Sequence, residues 1–180
     1  LVMDDWKKHI GIAFLVKKEV ASVDEQGLWP FHLPEVAATN EAICEIESKI
    51  GQLLDCRYRE FLTYANGWKG FFQSIDLLGT EDLKGTPLLQ RACELIDSLE
   101  PLDALIGIDR EHCFPIAVST DSVDVVFVAT AGSGDAGAVY WFAGQLVDRF
   151  VSFDEFFLAM VDYNRAEFEA LRGAREAAGQ

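Results

Sequence analysis

The chain has few basic residues, and this shortage argues against several classes of partner. Its 180 residues contain 15 Lys and Arg against 30 Asp and Glu, a formal net charge of −15. Nucleic acids and anionic membranes are bound through clustered Lys and Arg, so neither is expected as a partner. A negative field instead attracts a basic partner, although a solvated acidic surface without any partner accounts for the charge equally well.

Paired cysteines and long apolar runs are missing. No two cysteines form a Cys-x-x-Cys pair, and their neighbours are apolar or helical, which is typical of small buried thiols in a reducing cytosol. They are Cys44, Cys56, Cys93 and Cys113. No apolar run approaches the ~20 residues that a membrane-spanning helix needs. We therefore expect a cytoplasmic protein.

Recognisable catalytic and metal-binding patterns are also missing. His9, His32 and His112 form neither a His-x-His nor a His-x-x-x-His arrangement, so we expect no metal site and no cofactor. The sequence contains no nucleophile elbow and no phosphate-binding P-loop. Carboxylates are so abundant that a pair chosen among them indicates no particular reaction. The sequence therefore does not favour an enzyme.

One motif matches a nucleotide-binding pattern, but its context does not fit that function. Residues Gly132 to Gly137 read Gly-Ser-Gly-Asp-Ala-Gly and follow an apolar run. A dinucleotide site requires the last glycine to open a helix. The next residues, Ala138 to Ala143, are instead typical of a strand. The motif is therefore predicted to be a loop between two antiparallel strands.

Apolar spacing and capping residues predict five helices. Thr39 with Asn40, Asp55, and Ser152 with Glu155 provide N-terminal caps, and Gly51 and Asn66-Gly67 provide stops. The predicted helices cover residues 6–20, 39–51, 55–67, 87–99 and 152–168.

Runs rich in β-branched and aromatic residues predict strands between the later helices. These runs cover residues 71–78, 104–108, 113–119, 123–129, 138–143 and 145–149. Short connections between them indicate antiparallel hairpins. Tyr140, Trp141 and Phe142 are consecutive and so lie on both faces of their strand, where we expect burial. Helices followed by strands and a last helix give an α+β fold with one inserted helix.

The chain is predicted to contain one main domain with an N-terminal extension. Residues 1–38 hold the first helix and a loop interrupted by Gly27, Pro30 and Pro34, whose apolar residues favour packing on the domain. Residues 39–172 form the α+β domain. The polar, Ala-rich tail of residues 173–180 is expected to fray.

The stretch from Ile43 to Trp68 resembles the SUKH superfamily, also called the Smi/Knr family. The residues that carry the resemblance are Ile43, Glu47, Gly51, Leu53, Tyr58, Arg59, Phe61, Leu62, Asn66 and Gly67. The later segments IDLLGTEDL, GAVYWF and SFDEFFLAMV resemble further motifs of the family, in the right order within residues 40–164. One departure is Leu54, where the family usually has Pro, so the start of the third helix is expected to be less fixed, although Asp55 can still cap it.

This resemblance implies a protein without catalytic residues that binds another protein. Bacterial members of the family are largely immunity proteins that neutralise toxins, often nucleases, whereas fungal relatives are regulatory interaction proteins. Nucleases are basic because they hold nucleic acid, so an acidic inhibitor can imitate phosphate charge and cover the active site. The resemblance favours an immunity protein that is a monomer or weak dimer, with a regulatory scaffold for a cellular protein as the alternative.

We expect the partner to contact the most acidic stretch of the chain, residues 76–124. This stretch has eleven acidic residues against Lys84, Arg91 and Arg110, a net charge of −8. Trp68 precedes it as a candidate aromatic anchor. The predicted contact residues are Trp68, Asp76, Glu81, Asp82, Asp109, Glu111, Asp121 and Asp124.

Overall fold

The computed structural model describes residues 5–179, which include six α-helices and six strands in an α+β arrangement, as the sequence predicted. In chain order these are α1 (Trp6–Val23), α2 (Asn40–Ile50), α3 (Cys56–Leu62), β1 (Trp68–Phe72), β2 (Ile75–Leu77), α4 (Pro87–Asp97), α5 (Leu102–Ile106), β3 (Cys113–Ser119), β4 (Asp124–Ala129), β5 (Val139–Ala143), β6 (Leu146–Phe150) and α6 (Phe153–Ala178). Within residues 5–179, no helix is both long and apolar enough to cross a membrane.

The six strands form one antiparallel sheet in which each strand pairs with the next in sequence. The glycine motif at residues 132–137 connects β4 to β5, which confirms the predicted hairpin loop. Because β5 follows this loop directly, the motif provides no helix N-terminus for a pyrophosphate. Tyr140, Trp141 and Phe142 of β5 are all buried, as expected.

Aromatic rings join α1, α3, β1 and α6 in one core. Trp6 is fully buried, and its ring centroid lies 5.5 Å from that of Phe61, 5.7 Å from Phe153 and 5.3 Å from Phe157. Phe157 also lies 5.0 Å from Phe71 of β1. The first helix therefore shares its core with the sheet and the last helix.

The segment between α1 and α2, residues 24–39, lies along the edge of the sheet at β1; we call it the extension segment. The indole N–H of Trp68 donates to the carbonyl of His32 at 3.0 Å. Pro30 packs so closely on Gly70 that a Cβ there would lie 2.9 Å from the proline ring. An edge strand presents unpaired backbone groups to other chains, so this cover protects β1 from unwanted pairing.

Capping chemistry located several helix ends correctly. The side chains of Thr39, Asp55 and Ser152 accept hydrogen bonds from the first-turn N–H groups of α2, α3 and α6. Gly51 ends α2 in the left-handed conformation with φ of 71°. These predictions are confirmed. They were possible from sequence because each cap depends on neighbouring residues alone.

Two predicted strands are wrong. Residues 71–78 are not one strand, because Gln73, with φ of 51°, and Ser74 turn the chain between β1 and β2. Residues 104–108 belong largely to the short helix α5, which ends at Gly107. A five-residue apolar run fits a strand and a single helical turn equally well, so periodicity could not distinguish them.

Two helix ends also differ from the prediction. Helix α3 ends at Leu62, earlier than the Asn66-Gly67 stop, and Ala65 still donates its N–H to the carbonyl of Phe61. Helix α6 continues through the tail that was expected to fray and ends at Ala178. The side chain of Arg175 in this last part pairs with Glu25 of the extension segment at 2.9 Å.

The cysteines are less buried than predicted. All four are free thiols, of which Cys44 and Cys56 are exposed and Cys93 is half-buried. Only Cys113 is fully buried, and burial raises the pKa of its thiol to about 11.

Lys17 of α1 is buried although it is a charged residue. It is 4% exposed and shares a narrow crevice with Trp29 and Phe31, which Asp24 and Glu167 also line. Within residues 5–179 it forms no ion pair. Burial removes water from the ammonium group and lowers the pKa of Lys17 to about 8.

We expect Lys17→Met to stabilise the protein by about 1–2 kcal/mol at pH 7, because it removes a charge that is disfavoured by burial and forms no ion pair within residues 5–179. Wild-type stability should rise between pH 8 and the ordinary lysine pKa of 10.5, since only the unfolded state stays protonated there. The variant should lack this contribution.

Urea unfolding of both proteins at pH 7 and pH 9.5 measures the effect. The Cys113 thiol titrates in both proteins, so their difference isolates Lys17. Lys18→Met, at the exposed neighbouring position, should change stability by less than about 0.5 kcal/mol. A Lys17→Met protein less stable than wild type at pH 7 would show that the ammonium group has a compensating partner.

Candidate protein-binding site

Two backbone segments meet without intervening side chains where β1 begins and β2 ends. A Cβ on Gly67 would lie 2.7 Å from the carbonyl oxygen of Leu77, and one on Gly79 would lie 2.0 Å from that of Asn66. The Asn66 side chain accepts a hydrogen bond from the Thr80 N–H at 2.7 Å and donates one to the Thr80 hydroxyl at 2.8 Å. Only glycine fits at positions 67 and 79.

Tyr58 connects α3 to the same place. Its hydroxyl is buried and donates to the carbonyl of Leu78 at 2.6 Å. Burial, with a smaller effect of the charge on Asp82, raises the pKa of Tyr58 well above its ordinary value. The hydroxyl therefore stays protonated and remains a donor.

The corner between α2 and α3 explains the unusual Leu54. Glu47 is buried, and one carboxylate oxygen accepts hydrogen bonds from the Leu54 N–H and from Arg59 Nε, both at 3.1 Å. A proline at position 54 has no N–H to donate. Together with Asp55, which caps α3 as the sequence predicted, this bond holds the start of the helix without a proline.

A cleft of about 240 Å³ opens beside the glycine contact, and four carboxylates line it. Asp76, Glu81 and Asp82 belong to the predicted contact residues, and Glu35 comes from the extension segment. Lys69 is the single basic residue among the described residues that line it. We call this depression the acidic cleft.

Backbone hydrogen bonds hold the two aspartates of the acidic cleft. Asp76 is half-buried and accepts from the Gly70 N–H at 2.7 Å, while Asp82 accepts from the Gly79 N–H at 2.9 Å. Neither forms an ion pair within residues 5–179. Burial raises the pKa of Asp76 above its ordinary value, and the charge on Asp82 acts in the same direction. The Gly70 hydrogen bond and the charge on Lys69 oppose this shift.

The predicted residues Asp109 and Glu111 lie apart from the cleft, at the start of β3. Together with His112 they place one ligand atom each within 4.8 Å of one another, so they could hold a divalent cation. His112 Nδ1 lies 3.2 Å from the Thr130 hydroxyl oxygen. Both carboxylates are exposed, as solvated acidic groups commonly are, so this cluster alone does not indicate a metal site.

Asp121 and Asp124 lie at the opposite end of β3, which as a seven-residue strand is about 20 Å long. Asp124 accepts from the indole N–H of Trp141 at 2.8 Å. Hydrogen bonds from serine side chains, first that of Ser74 and then that of Ser119, lower the pKa of Asp121. The predicted acids therefore form three separate groups, and the first lines the acidic cleft.

Trp68 is not accessible as an aromatic anchor, and this prediction is wrong. Its side chain is 0% exposed and its ring centroid lies 5.4 Å from that of Phe71. The sequence showed an aromatic residue after a turn but did not show which face of the sheet it occupies. Glu35 was missed because its place in the cleft depends on a contact between distant parts of the chain.

A comparison with protein-family models matches residues 37–159 to the SMI1 / KNR4 family (SUKH-1). The matched region runs from the end of the extension segment through α2, α3 and the sheet into α6. A search of curated proteins finds no match.

We expect Gly79→Ala to destabilise the protein by about 3 kcal/mol or more, because the new Cβ collides with backbone that cannot move aside. Gly11→Ala is the matched control, since nothing lies within 4 Å of an added Cβ there. It should stabilise helix α1 by about 0.5–1 kcal/mol. Chemical denaturation of the three proteins measures both changes, and equal midpoints for Gly79→Ala and wild type would contradict the steric argument.

Asp76→Asn should stabilise the protein at pH 7, by roughly 0.5 kcal/mol after allowance for solvent screening. Because the folded state raises the pKa of Asp76, ionisation costs stability as the pH rises through that value. The advantage of the amide should therefore shrink as the pH is lowered. Thermal unfolding between pH 4 and pH 7 tests this, with exposed Glu176→Gln as control; a destabilised Asp76→Asn at pH 7 would mean that the charge is compensated.

Proposed function

Because the chain belongs to the SMI1 / KNR4 family (SUKH-1), we propose that it acts by binding another protein and not by catalysis. More specifically, it is an immunity protein of the cytoplasm that neutralises a basic toxin, of the nuclease type, by covering the toxin's active site. The family membership supports the general role, and the chemistry of the acidic cleft supports a basic partner.

The acidic cleft is the observation that supports this proposal. Asp76 and Asp82 are fixed by backbone donors and form no ion pair within residues 5–179, although Lys69 also lines the cleft. Asp76 is half-buried, and this burial leaves its charge incompletely solvated and raises its pKa. An arginine or lysine of a partner would supply the missing countercharge, and nucleases carry such residues where they hold phosphate.

The size and lining of the cleft favour binding over catalysis. Small-molecule sites usually have volumes of about 300–1,000 Å³, and this cleft has about 240 Å³. A carboxyl group with a raised pKa also occurs in acid catalysts. The described residues that line this cleft, however, include no histidine, cysteine or serine that could act with it.

Capture of the partner from the source cells, followed by binding measurements with the purified partner, tests the proposal. The double variant Asp76→Asn with Asp82→Asn should weaken binding by about 10- to 100-fold. The control Glu169→Gln with Glu176→Gln, on exposed positions of α6, changes the net charge equally, from −15 to −13. It should change affinity by less than about threefold.

Wild-type binding should also weaken as salt rises, and the wild-type protein should inhibit the nuclease activity of the partner. Equal effects of the two double variants would show that overall charge, and not the cleft, drives binding. An acidic partner or a salt-insensitive complex would refute the electrostatic part. A regulatory cell protein in place of a toxin would favour the scaffold alternative.

A further inference from the structure

An apolar depression of about 680 Å³ lies between α1, the extension segment and the end of α3. We call it the apolar groove. Its lining includes Ile10, Gly11, Phe14, Leu33, Pro34 and Tyr64. Leu33 is 63% exposed and Tyr64 is 40% exposed. Contiguous apolar surface of this kind is typical of interaction sites.

Gly11 has no role in the fold that the structure reveals. It lies inside α1, its backbone does not have positive φ, and an added Cβ would meet nothing within 4 Å. Glycine in a helix interior is less favourable than alanine. Its missing side chain keeps the groove deep and allows a bound segment to approach the helix closely.

The apolar groove and the acidic cleft adjoin each other. They share the extension segment, in which Leu33 and Pro34 line the groove and Glu35 lines the cleft. The Glu35 N–H donates to the carbonyl of Gly67 at 3.1 Å and so fixes the segment on the turn that borders the cleft. The two depressions therefore have a fixed relative position.

The apolar groove and the acidic cleft come from different parts of the sequence. The family match begins at residue 37, so most of the cleft lies within the matched region. Helix α1, Leu33 and Pro34 precede it. The N-terminal extension, residues 1–38, thus adds an apolar surface to a cleft that belongs mainly to the family domain.

We infer that the groove and the cleft form one docking surface, occupied by a segment of a basic partner protein that carries a large apolar side chain next to Lys or Arg. This rests on the proposed function. The apolar side chain enters the groove and the cation enters the cleft, so the extension determines which basic protein is bound.

Charge selects this occupant over a second copy of the chain. A second copy has a net charge of −15 and would bring like charge to the cleft. Lys7 also lines the groove, so the groove does not itself attract the cation. The cation is attracted to the neighbouring carboxylates, which orients the bound segment.

Photo-crosslinking in the source cells locates the partner on the surface. The full-length protein carries a photoreactive benzoylphenylalanine at position 33 in the groove, at position 81 in the cleft, or at the exposed position 169 as control. The same basic protein should be captured, and identified by mass spectrometry, from positions 33 and 81 but not from position 169.

Matched substitutions then test the groove with the purified captured protein. Gly11→Leu fills the groove, while Gly173→Leu makes the same change in α6, where an added Cβ also meets nothing within 4 Å. Leu33→Ser is paired with Leu28→Ser, another exposed position of the extension segment outside the groove. Gly11→Leu and Leu33→Ser should each weaken binding about tenfold or more, and their controls less than about threefold.

The outcomes separate the two proposals. Capture from position 81 alone, with unchanged affinity of Gly11→Leu, would refute docking in the groove. Binding at the cleft and the proposed function would remain supported. Crosslinked dimers of the chain, or an acidic captured protein, would overturn the assigned occupant. Failure to capture any protein at positions 33 and 81 would overturn both proposals. The melting temperature of Gly11→Leu is measured as a control and should not fall below that of the wild type. Lost binding by a variant that melts normally is then not caused by unfolding.

Discussion

The backbone contact between the Asn66-Gly67 turn and Gly79 is the constraint on which the arrangement of the site depends. The space for a Cβ on Gly79 is already taken by the Asn66 carbonyl, 2.0 Å away. This contact places Trp68 opposite Leu77 at the start of the sheet. It also brings the carboxylates that precede and follow Gly79 around one turn. The tightest packing in this part of the chain thereby builds the cleft.

Rigid backbone changes what a negative charge can do. Asp121 and Asp124 have their charges engaged by serine and tryptophan donors in a turn. Asp76 and Asp82 are also held, but within residues 5–179 they form no ion pair, and the burial of Asp76 leaves its charge incompletely solvated. A net charge of −15 alone gives only general attraction. A partner is oriented where carboxylates have fixed positions and form no ion pair. The fold tolerates the energetic cost of holding these charges in the cleft.

Local chemistry made much of the fold predictable from the sequence. Thr39 and Asp55 cap helices through contacts within three residues, and the glycine loop before β5 was identified from the strand pattern after it. Long-range contacts were not predictable. Glu35 reaches the cleft only because the extension segment lies along the sheet edge, and the burial of Trp68 depends on the same packing. The charge count along the chain predicted one acidic contact stretch, residues 76–124. In the structure, the acids of this stretch form three separate groups.

The N-terminal extension, residues 1–38, has residues that face the core and residues that face outward, and the fold depends only on the first set. Inward, Trp6 fills the core and Pro30 packs on Gly70, so these contacts are needed whatever the partner is. Outward, Gly11 and Leu33 meet few neighbours and are not required by the core. A chain can therefore change the outward residues without loss of the fold or of the cover over β1. Specificity located there can change independently of the acidic cleft, which is held by the glycine contact.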